Sequence, residues 1–223
     1  SGCFLQLAET RSFSTKAELE TVLQEAISNG TEGLMVKRSG ALYEPGTRSS
    51  QWLKLKKDYL ESSLSDSIDA VVIAARRGEG NRHQVFGSFL IAVRNGTKFE
   101  AISQIGSGLT AEDLQKFVAD HGTKMLDTPP KDVVHHLNKS DSDLLWLQPG
   151  SRPVWEVTGA DLTTSKTFQC CRGLLKGEED SGISLRFARV LRIRDKEDKD
   201  ETEATESKDL LRMFLEQPGR WTQ

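Results

Sequence analysis

Val85-Phe86-Gly87-Ser88-Phe89-Leu90-Ile91-Ala92-Val93-Arg94-Asn95-Gly96-Thr97-Lys98-Phe99-Glu100-Ala101-Ile102-Ser103-Gln104-Ile105 reads as a hairpin. Two apolar runs flank Asn95-Gly96, and these two residues accept the positive φ angles that a type I′ turn demands of both central positions. Working outward, Ile68–Ala75 is a strand upstream of the hairpin. Downstream, Thr110–His121 predicts a short helix with Thr110 as N-cap and Leu114, Phe117 and Val118 facing inward. Arg152–Val157 and Ser184–Arg194 are two more strands. Several strands interrupted by one mid-chain helix point to a small closed barrel, with the OB-fold as the leading candidate.

The first sixty residues have a different grammar. Phe4–Phe13 reads as extended. Thr15-Lys16-Ala17-Glu18 is a capping box, and Leu19, Val22, Leu23, Ala26 and Ile27 follow on one helix face until Asn29-Gly30 ends it. Two short strands follow, Gly33–Arg38 and Trp52–Lys57. Residues 61–67 are polar and predict a linker, so the expected division is 1–60, a linker at 61–67, and 68–223.

The chain has 223 residues with 30 basic and 33 acidic side chains, a net charge of −3. A near-neutral balance excludes a uniformly basic coat, so any nucleic-acid surface is local. Residues 195–209 hold eight acids and three lysines, net −5, which leaves +2 for the rest; the bland reading of this tract is a solvated loop. No apolar stretch approaches the roughly 18 residues of a membrane-spanning helix, so no membrane partner is expected. Three cysteines exclude a disulfide framework. Without C-x-x-C or H-E-x-x-H spacing a structural zinc site is not expected, and a reducing compartment fits best.

Trp52-Leu53-Lys54-Leu55-Lys56 is the most informative stretch for chemistry. Strand alternation puts Leu53 and Leu55 on a core face and Trp52, Lys54 and Lys56 on the other, with the two ammoniums about 7 Å apart, a spacing suited to phosphates. An ordinary amphipathic strand with solvated lysines is the competing reading. Glu32-Gly33-Leu34-Met35-Val36-Lys37 begins with a carboxylate at a strand lip, which a hard divalent cation could share with phosphates; a helix-to-strand turn with a solvated Glu competes equally. Leu185–Arg194 contains four arginines and no acid. Read as one strand, it puts Arg186, Arg192 and Arg194 on one face and Leu185, Phe187, Arg189, Leu191 and Ile193 on the other; the pattern favours Phe187 in the core over Phe187 as a groove wedge. Arg76-Arg77-Gly78-Glu79-Gly80-Asn81-Arg82 is a basic loop able to meet backbone phosphates.

Taken in order, these stretches resemble the ATP-dependent DNA ligases, with the strongest likeness to their replicative, type I-like eukaryotic and archaeal members. Glu32–Lys37 is similar to the family's motif IV and Trp52–Leu60 (WLKLKKDYL) to motif V. Val154–Ser165 resembles the segment between motifs V and VI, and Gly182–Arg194 the approach to motif VI. The likeness runs from about Phe4 to Met213.

The resemblance implies a mostly β chain with some helix: the C-terminal part of a nucleotidyltransferase (adenylation) domain, then an OB-fold barrel with an acidic loop at 195–209 and a C-terminal helix. It implies nick sealing in duplex DNA through lysyl-AMP and DNA-adenylate, with ATP as AMP donor and Mg²⁺ as cofactor. Lys54 and Lys56 would be catalytic. Glu32, Lys37, Lys54 and Lys56 would hold nucleotide, with Glu32 also at the metal. Arg186, Phe187, Arg189, Arg76, Arg77 and Arg82 would meet DNA, and Arg192, Arg194 and Lys196 are candidates for motif VI. Expected partners are nicked duplex DNA and a sliding clamp, with the protein a monomer and nuclear, a mitochondrial address being the alternative. The family's nucleophilic Lys-x-Asp-Gly is absent, so the chain reads as a C-terminal fragment, inactive alone in self-adenylylation. Arg194-Asp195-Lys196 is followed by an apparent two-residue insertion, and Ala188 stands where the family has Pro. An RNA ligase or mRNA-capping relative, and a non-catalytic OB-fold nucleic-acid-binding module, are the competing readings.

Overall fold

A computed structural model describes residues 8–47, 49–56, 66–78, 84–135 and 143–217. It divides into two compact units, 1–60 and 61–223. Arg82, Cys3, His83, His136, Lys57–Leu60 and residues 61–65 of the expected linker lie outside the described residues.

In the first unit, α1 (Lys16–Ser28) starts at the capping box, with the Thr15 hydroxyl accepting from the Glu18 amide and the Glu18 carboxylate accepting from the Thr15 amide. Its one buried side chain is Leu23. The helix leads into β1 (Gly33–Lys37), which pairs antiparallel with β2 (Trp52–Lys56). Residues 8–13 form no strand, so the extended reading of Phe4–Phe13 is not met in its described part. The expected core face of β2 is also only partly covered. Leu34, Val36, Leu53 and Leu55 share it by register, yet Leu53 is 56% exposed.

The second unit is the barrel. β3 (Ile68–Arg77), β4 (Phe86–Asn95) and β5 (Lys98–Ile105) form an antiparallel meander; the expected Asn95-Gly96 turn is corrected to Gly96-Thr97, because Asn95 stays in the ladder opposite Lys98 and only Gly96, at φ 61°, takes a positive φ. Helix α2 (Ala111–His121) follows, capped by Thr110 and Asp113. Three short strands come next, β6 (Met125–Leu126), β7 (Val133–Val134) and β8 (Leu144–Leu147). β9 (Val154–Thr158) and β10 (Asp161–Ser165) form one bent arm, and β11 (Gly182–Arg186) and β12 (Arg189–Ile193) another. β9 pairs with β3 and β12, and β10 pairs with β11. The cylinder closes where the Ser103 hydroxyl donates to Leu185 O at 2.8 Å and the Val190 amide donates to Ser107 O at 3.0 Å. This is the five-armed OB-fold barrel, mostly β with a few helices.

β3 is apolar almost throughout because both its faces are buried. Ile68, Ala70 and Val72 face the barrel interior with Phe89, Ile91, Trp155 and Leu185, and Phe117 of α2 plugs one end, its ring 4.8 Å from that of Phe89. Val71 and Ile73 face a second cluster built with Leu90, Phe99 and Trp146. Full burial of a ring such as Phe89 contributes roughly 2–3 kcal/mol.

The reading of Ser184–Arg194 as one strand is corrected. Phe187 adopts φ 50° and breaks the segment into β11 and β12, and register shifts again between Val190 and Arg192. Strand alternation does not survive a left-handed residue, so the predicted faces fail. Phe187 is 64% exposed rather than in the core, and Leu191 is also exposed.

The acidic tract is likewise more than a solvated loop. It makes a 3₁₀ turn over Glu201–Glu203 and enters α3 (Ser207–Leu215). Its Lys199 joins Arg194 on Asp69, at 2.5 and 3.0 Å. Burial alone would raise the Asp69 carboxyl, but these two hydrogen bonds and charges outweigh it and hold the group below its ordinary value. A carboxyl held down in the fold adds stability that is present above its unfolded pKa and disappears as pH falls through the folded one. The melting temperature of Asp69→Asn is therefore expected to trail the parent most at neutral pH, with the gap starting to close as pH falls below about 4 and vanishing only below the lowered folded pKa, where both side chains are neutral. A gap that stayed constant on acidification would remove Asp69 from this role.

Candidate nucleotide and nucleic-acid sites

The β1–β2 ribbon sets one face by register. Gly33 lies opposite Lys56, Met35 opposite Lys54, and Lys37 opposite Trp52. Gly33 has φ 137°, and a Cβ there would stand 2.2 Å from Leu55 O, so only glycine lets Glu32 turn in beside β2. The outcome is a contact between Lys56 Nζ and Glu32 Oε2 at 2.9 Å. Lys37 Nζ sits 4.2 Å from the centre of the Trp52 ring, and Tyr43 packs on that ring at 5.3 Å. Lys54, exposed, projects from the same face between these pairs.

Glu32, Lys37, Lys54 and Lys56 are thus brought together. The Glu32 side chain is 86% exposed and that of Lys56 32%. An ion pair so open to water is worth under about 1 kcal/mol and can be exchanged for a phosphate at little cost. The chemistry is three ammoniums for anionic oxygens and one hard carboxylate oxygen donor beside them. A Mg²⁺ ion takes one or two carboxylates and shares the rest of its shell with phosphates and water, so this donor set fits it.

In the second unit, β10 and β11 meet at a tip. Arg186 faces Asp161, with 3.7 Å between the charged groups, and its guanidinium lies 5.1 Å from the centre of the Phe187 ring. Both side chains are exposed. Gly159 permits the close turn, since a Cβ would come 2.5 Å from Arg186 O. A left-handed phenylalanine costs about 1–2 kcal/mol, and in this strained conformation an aromatic ring and an arginine stand side by side on the surface. Arg189 is exposed on the following strand.

The remaining sequence candidates scatter. Arg76 bonds Asp143 at 3.0 Å, and Arg77 lies over Phe86 at 5.8 Å. Arg192 is 3.8 Å from Asp198 and remains exposed, and Lys196 donates to Gly150 O. Arg194 is committed: it bonds Asp69 at 3.0 Å and Glu156 at 3.2 Å and lies 3.7 Å from Asp198. A cleft of about 310 Å³ lies beside it, lined by residues including Lys116, His121, Lys124, Arg152 and Lys196. Sequence reasoning missed Arg152, the buried cation of this region. Its guanidinium pairs with Asp132 through two hydrogen bonds of 2.7 and 2.9 Å, and no local pattern marked it.

Comparison with known proteins gives one answer for both units. The ATP dependent DNA ligase domain matches residues 3–56, and the ATP dependent DNA ligase C terminal region matches residues 82–197. A DNA ligase 1 of Arabidopsis thaliana is 37% identical over 218 residues, covering 96% of this chain and 26% of that protein. A DNA ligase 1 of Drosophila melanogaster is 39% identical over 207 residues, 90% of this chain and 26% of that protein. A DNA ligase of Saccharolobus shibatae is 34% identical over 222 residues, 97% of this chain and 35% of its own length. The chain therefore spans about a quarter to a third of these relatives. Among solved structures, the ligase domain of M. tuberculosis LigD aligns at 23% identity and TM-score 0.48, covering 82% of this chain and 50% of that one.

Proposed function

Because the chain belongs to the ATP-dependent DNA ligase family, we propose that it supplies the phosphate-handling ribbon and the OB barrel of an enzyme that seals nicks in duplex DNA with ATP. The observation that carries this reading is the shared ribbon face, where Glu32 and Lys56 meet at 2.9 Å with Lys54 and Lys37 on the same side.

In the proposed reaction a lysine attacks the α-phosphorus of ATP and pyrophosphate leaves. AMP then passes to the DNA 5′-phosphate, and the 3′-hydroxyl finally displaces it. Charge builds on non-bridging oxygens at every step. Lys54 and Lys56 hold those oxygens from a strand whose backbone is already fixed, so little reorganisation accompanies the charge. Lys37, steadied on Trp52, adds a third cation. Glu32 would give up Lys56 to the nucleotide and would hold Mg²⁺, which would supply charge neutralisation of the phosphates. The sequence contains no Lys-x-Asp-Gly, so this reading places the lysine nucleophile outside it. The 223-residue chain alone is expected to take no label from α-labelled ATP; a labelled band would place a nucleophile within it.

Arg186 and Phe187 are the proposed DNA contacts, the ring entering the minor groove beside the nick and the guanidinium holding a phosphate. Arg192 is the better motif VI candidate, since Arg194 is held by three carboxylates. The test is salt dependence. Affinity for nicked duplex should fall with rising salt, and Arg186→Ala should reduce the slope of log affinity against log salt by about 1. An unchanged slope would move Arg186 out of the footprint. An RNA or capping substrate is set against DNA by the exposed Arg186–Phe187 pair, and substrate preference in a polypeptide joining this chain to the Lys-x-Asp-Gly half separates them.

A further inference from the structure

Three segments far apart in sequence, one of them the loop between β10 and β11, bring donor atoms to one point. Cys170 and Cys171 are buried, with their sulfurs 3.5 Å apart and not bonded. Glu100 of β5 reaches in from the sheet, and one ligand atom from each of the three residues lies within 4.8 Å of the others. Its carboxylate is anchored on both sides, accepting from the Cys171 amide at 3.0 Å and from Asn95 Nδ2 at 2.6 Å. On the third side the Cys171 sulfur stands 3.1 Å from the carbonyl oxygen of Ser207, the first residue of α3. Cys171 has φ 60°, a left-handed conformation that costs a non-glycine residue about 1–2 kcal/mol and turns both adjacent thiols to the same side.

We propose that Cys170, Cys171 and Glu100 form a binding site for a borderline-soft divalent cation of the zinc type, with the Ser207 carbonyl or a water as fourth ligand. Zinc takes sulfur at about 2.3 Å and oxygen at about 2.0–2.2 Å in tetrahedral sites, which sets two coordinating sulfurs about 3.8 Å apart. The sulfurs here need move only a few tenths of an ångström. The mixed sulfur and oxygen donor set excludes the hard cation that suits Glu32 and suits zinc. On binding, each thiol gives its proton to solvent and its sulfur lone pair to the metal, so two protons are released per ion and nothing is oxidised. The site would tie β5, the 171–181 loop and the start of α3 into one cross-link. It escaped the spacing rules for zinc motifs because the third ligand lies about seventy residues from the cysteines. The proposal stands apart from the ligase reading, since its readouts involve neither ATP nor DNA.

The test titrates cobalt(II) into the full 223-residue chain kept reduced, with zinc as competitor. The expected result is one equivalent bound, with a thiolate-to-cobalt charge-transfer band and the visible bands of a tetrahedral ion, all erased by zinc. Cys170→Ser should weaken binding by at least about a hundredfold and Glu100→Gln by about tenfold, while Cys3→Ser leaves the spectrum unchanged. Saturating zinc should raise the melting temperature of the parent by about 5 °C and leave that of Cys170→Ser unmoved. The conservative Glu100→Gln keeps the test valid if the serine variant folds poorly. Absence of a thiolate band in the reduced parent overturns the proposal, as does a band that survives the Cys170→Ser/Cys171→Ser pair.

Discussion

Lys56→Ala is expected to slow nick sealing by about a hundredfold to a thousandfold in a polypeptide that joins this chain to the Lys-x-Asp-Gly half, which is the usual loss when one fixed donor to a developing oxyanion is removed. Lys56 stands out among the ribbon cations because its ammonium already lies 2.9 Å from Glu32 at the strand lip, a weak contact that a phosphate can replace. Its side chain is about one-third exposed, so part of its stem is already ordered, and less entropy remains to be lost on engaging the nucleotide. Lys56→Arg should recover only a part of the rate, because a planar fork presents its donors at a different depth from a compact ammonium. Single-turnover sealing of a nicked duplex at saturating ATP reads the effect. A loss smaller than about fivefold would mean that the ribbon face is an ordinary solvated strand.

Arg152→Ala should be the most damaging single change to the barrel. The Arg152 side chain is 0% exposed, forked onto both oxygens of Asp132 and lying 4.9 Å from the centre of the Phe99 ring. The guanidinium in turn holds the Asp132 carboxyl below its ordinary value. Truncation leaves that carboxylate stranded beside the second core cluster and opens a void under Phe99. Breaking a fully buried pair from one side costs about 3–5 kcal/mol, an upper bound here because the Asp132 side chain is 26% exposed. For a domain of this size that is a fall of about 10 °C in melting temperature. Arg152→Met combined with Asp132→Asn removes both charges while filling the space, and should restore more than half of the loss. A single variant that melts within about 2 °C of the parent would show that the pair contributes little beyond packing.

What the sequence made legible follows from how local each cause is. The hairpin between β4 and β5 and the Thr15 and Thr110 caps each depend on a few neighbouring residues and reappear in the structure, as do the shared faces of Trp52–Lys56; the hairpin turn itself sits one residue later than expected, on Gly96-Thr97. Ser184–Arg194 misled because the break falls on Phe187, a residue with no turn propensity of its own, held left-handed by the arm's passage from β10 to β9. The same break turned a predicted core aromatic outward. Leu53 looked like core by alternation, but alternation says which residues share a face, not whether another layer covers it. The ion cluster of Asp69, Glu156, Arg194 and Lys199 and the pair of Arg152 with Asp132 join distant segments, so no window of sequence contains them. Glu32 and Lys56 are also distant: the sequence pointed each toward phosphate chemistry, but their 2.9 Å contact and the ribbon register that makes it appear only in the structure.

The most direct test of the account measures two quantities on one preparation of the joined polypeptide carrying Lys54→Ala and Lys56→Ala together: label transferred from α-labelled ATP to the protein, and affinity for nicked duplex at fixed salt. The account predicts that transfer falls by at least about a hundredfold while DNA affinity stays within about threefold, because these ammoniums serve the nucleotide. Transfer that persists near the parent rate, or a matched fall in both quantities, would contradict it.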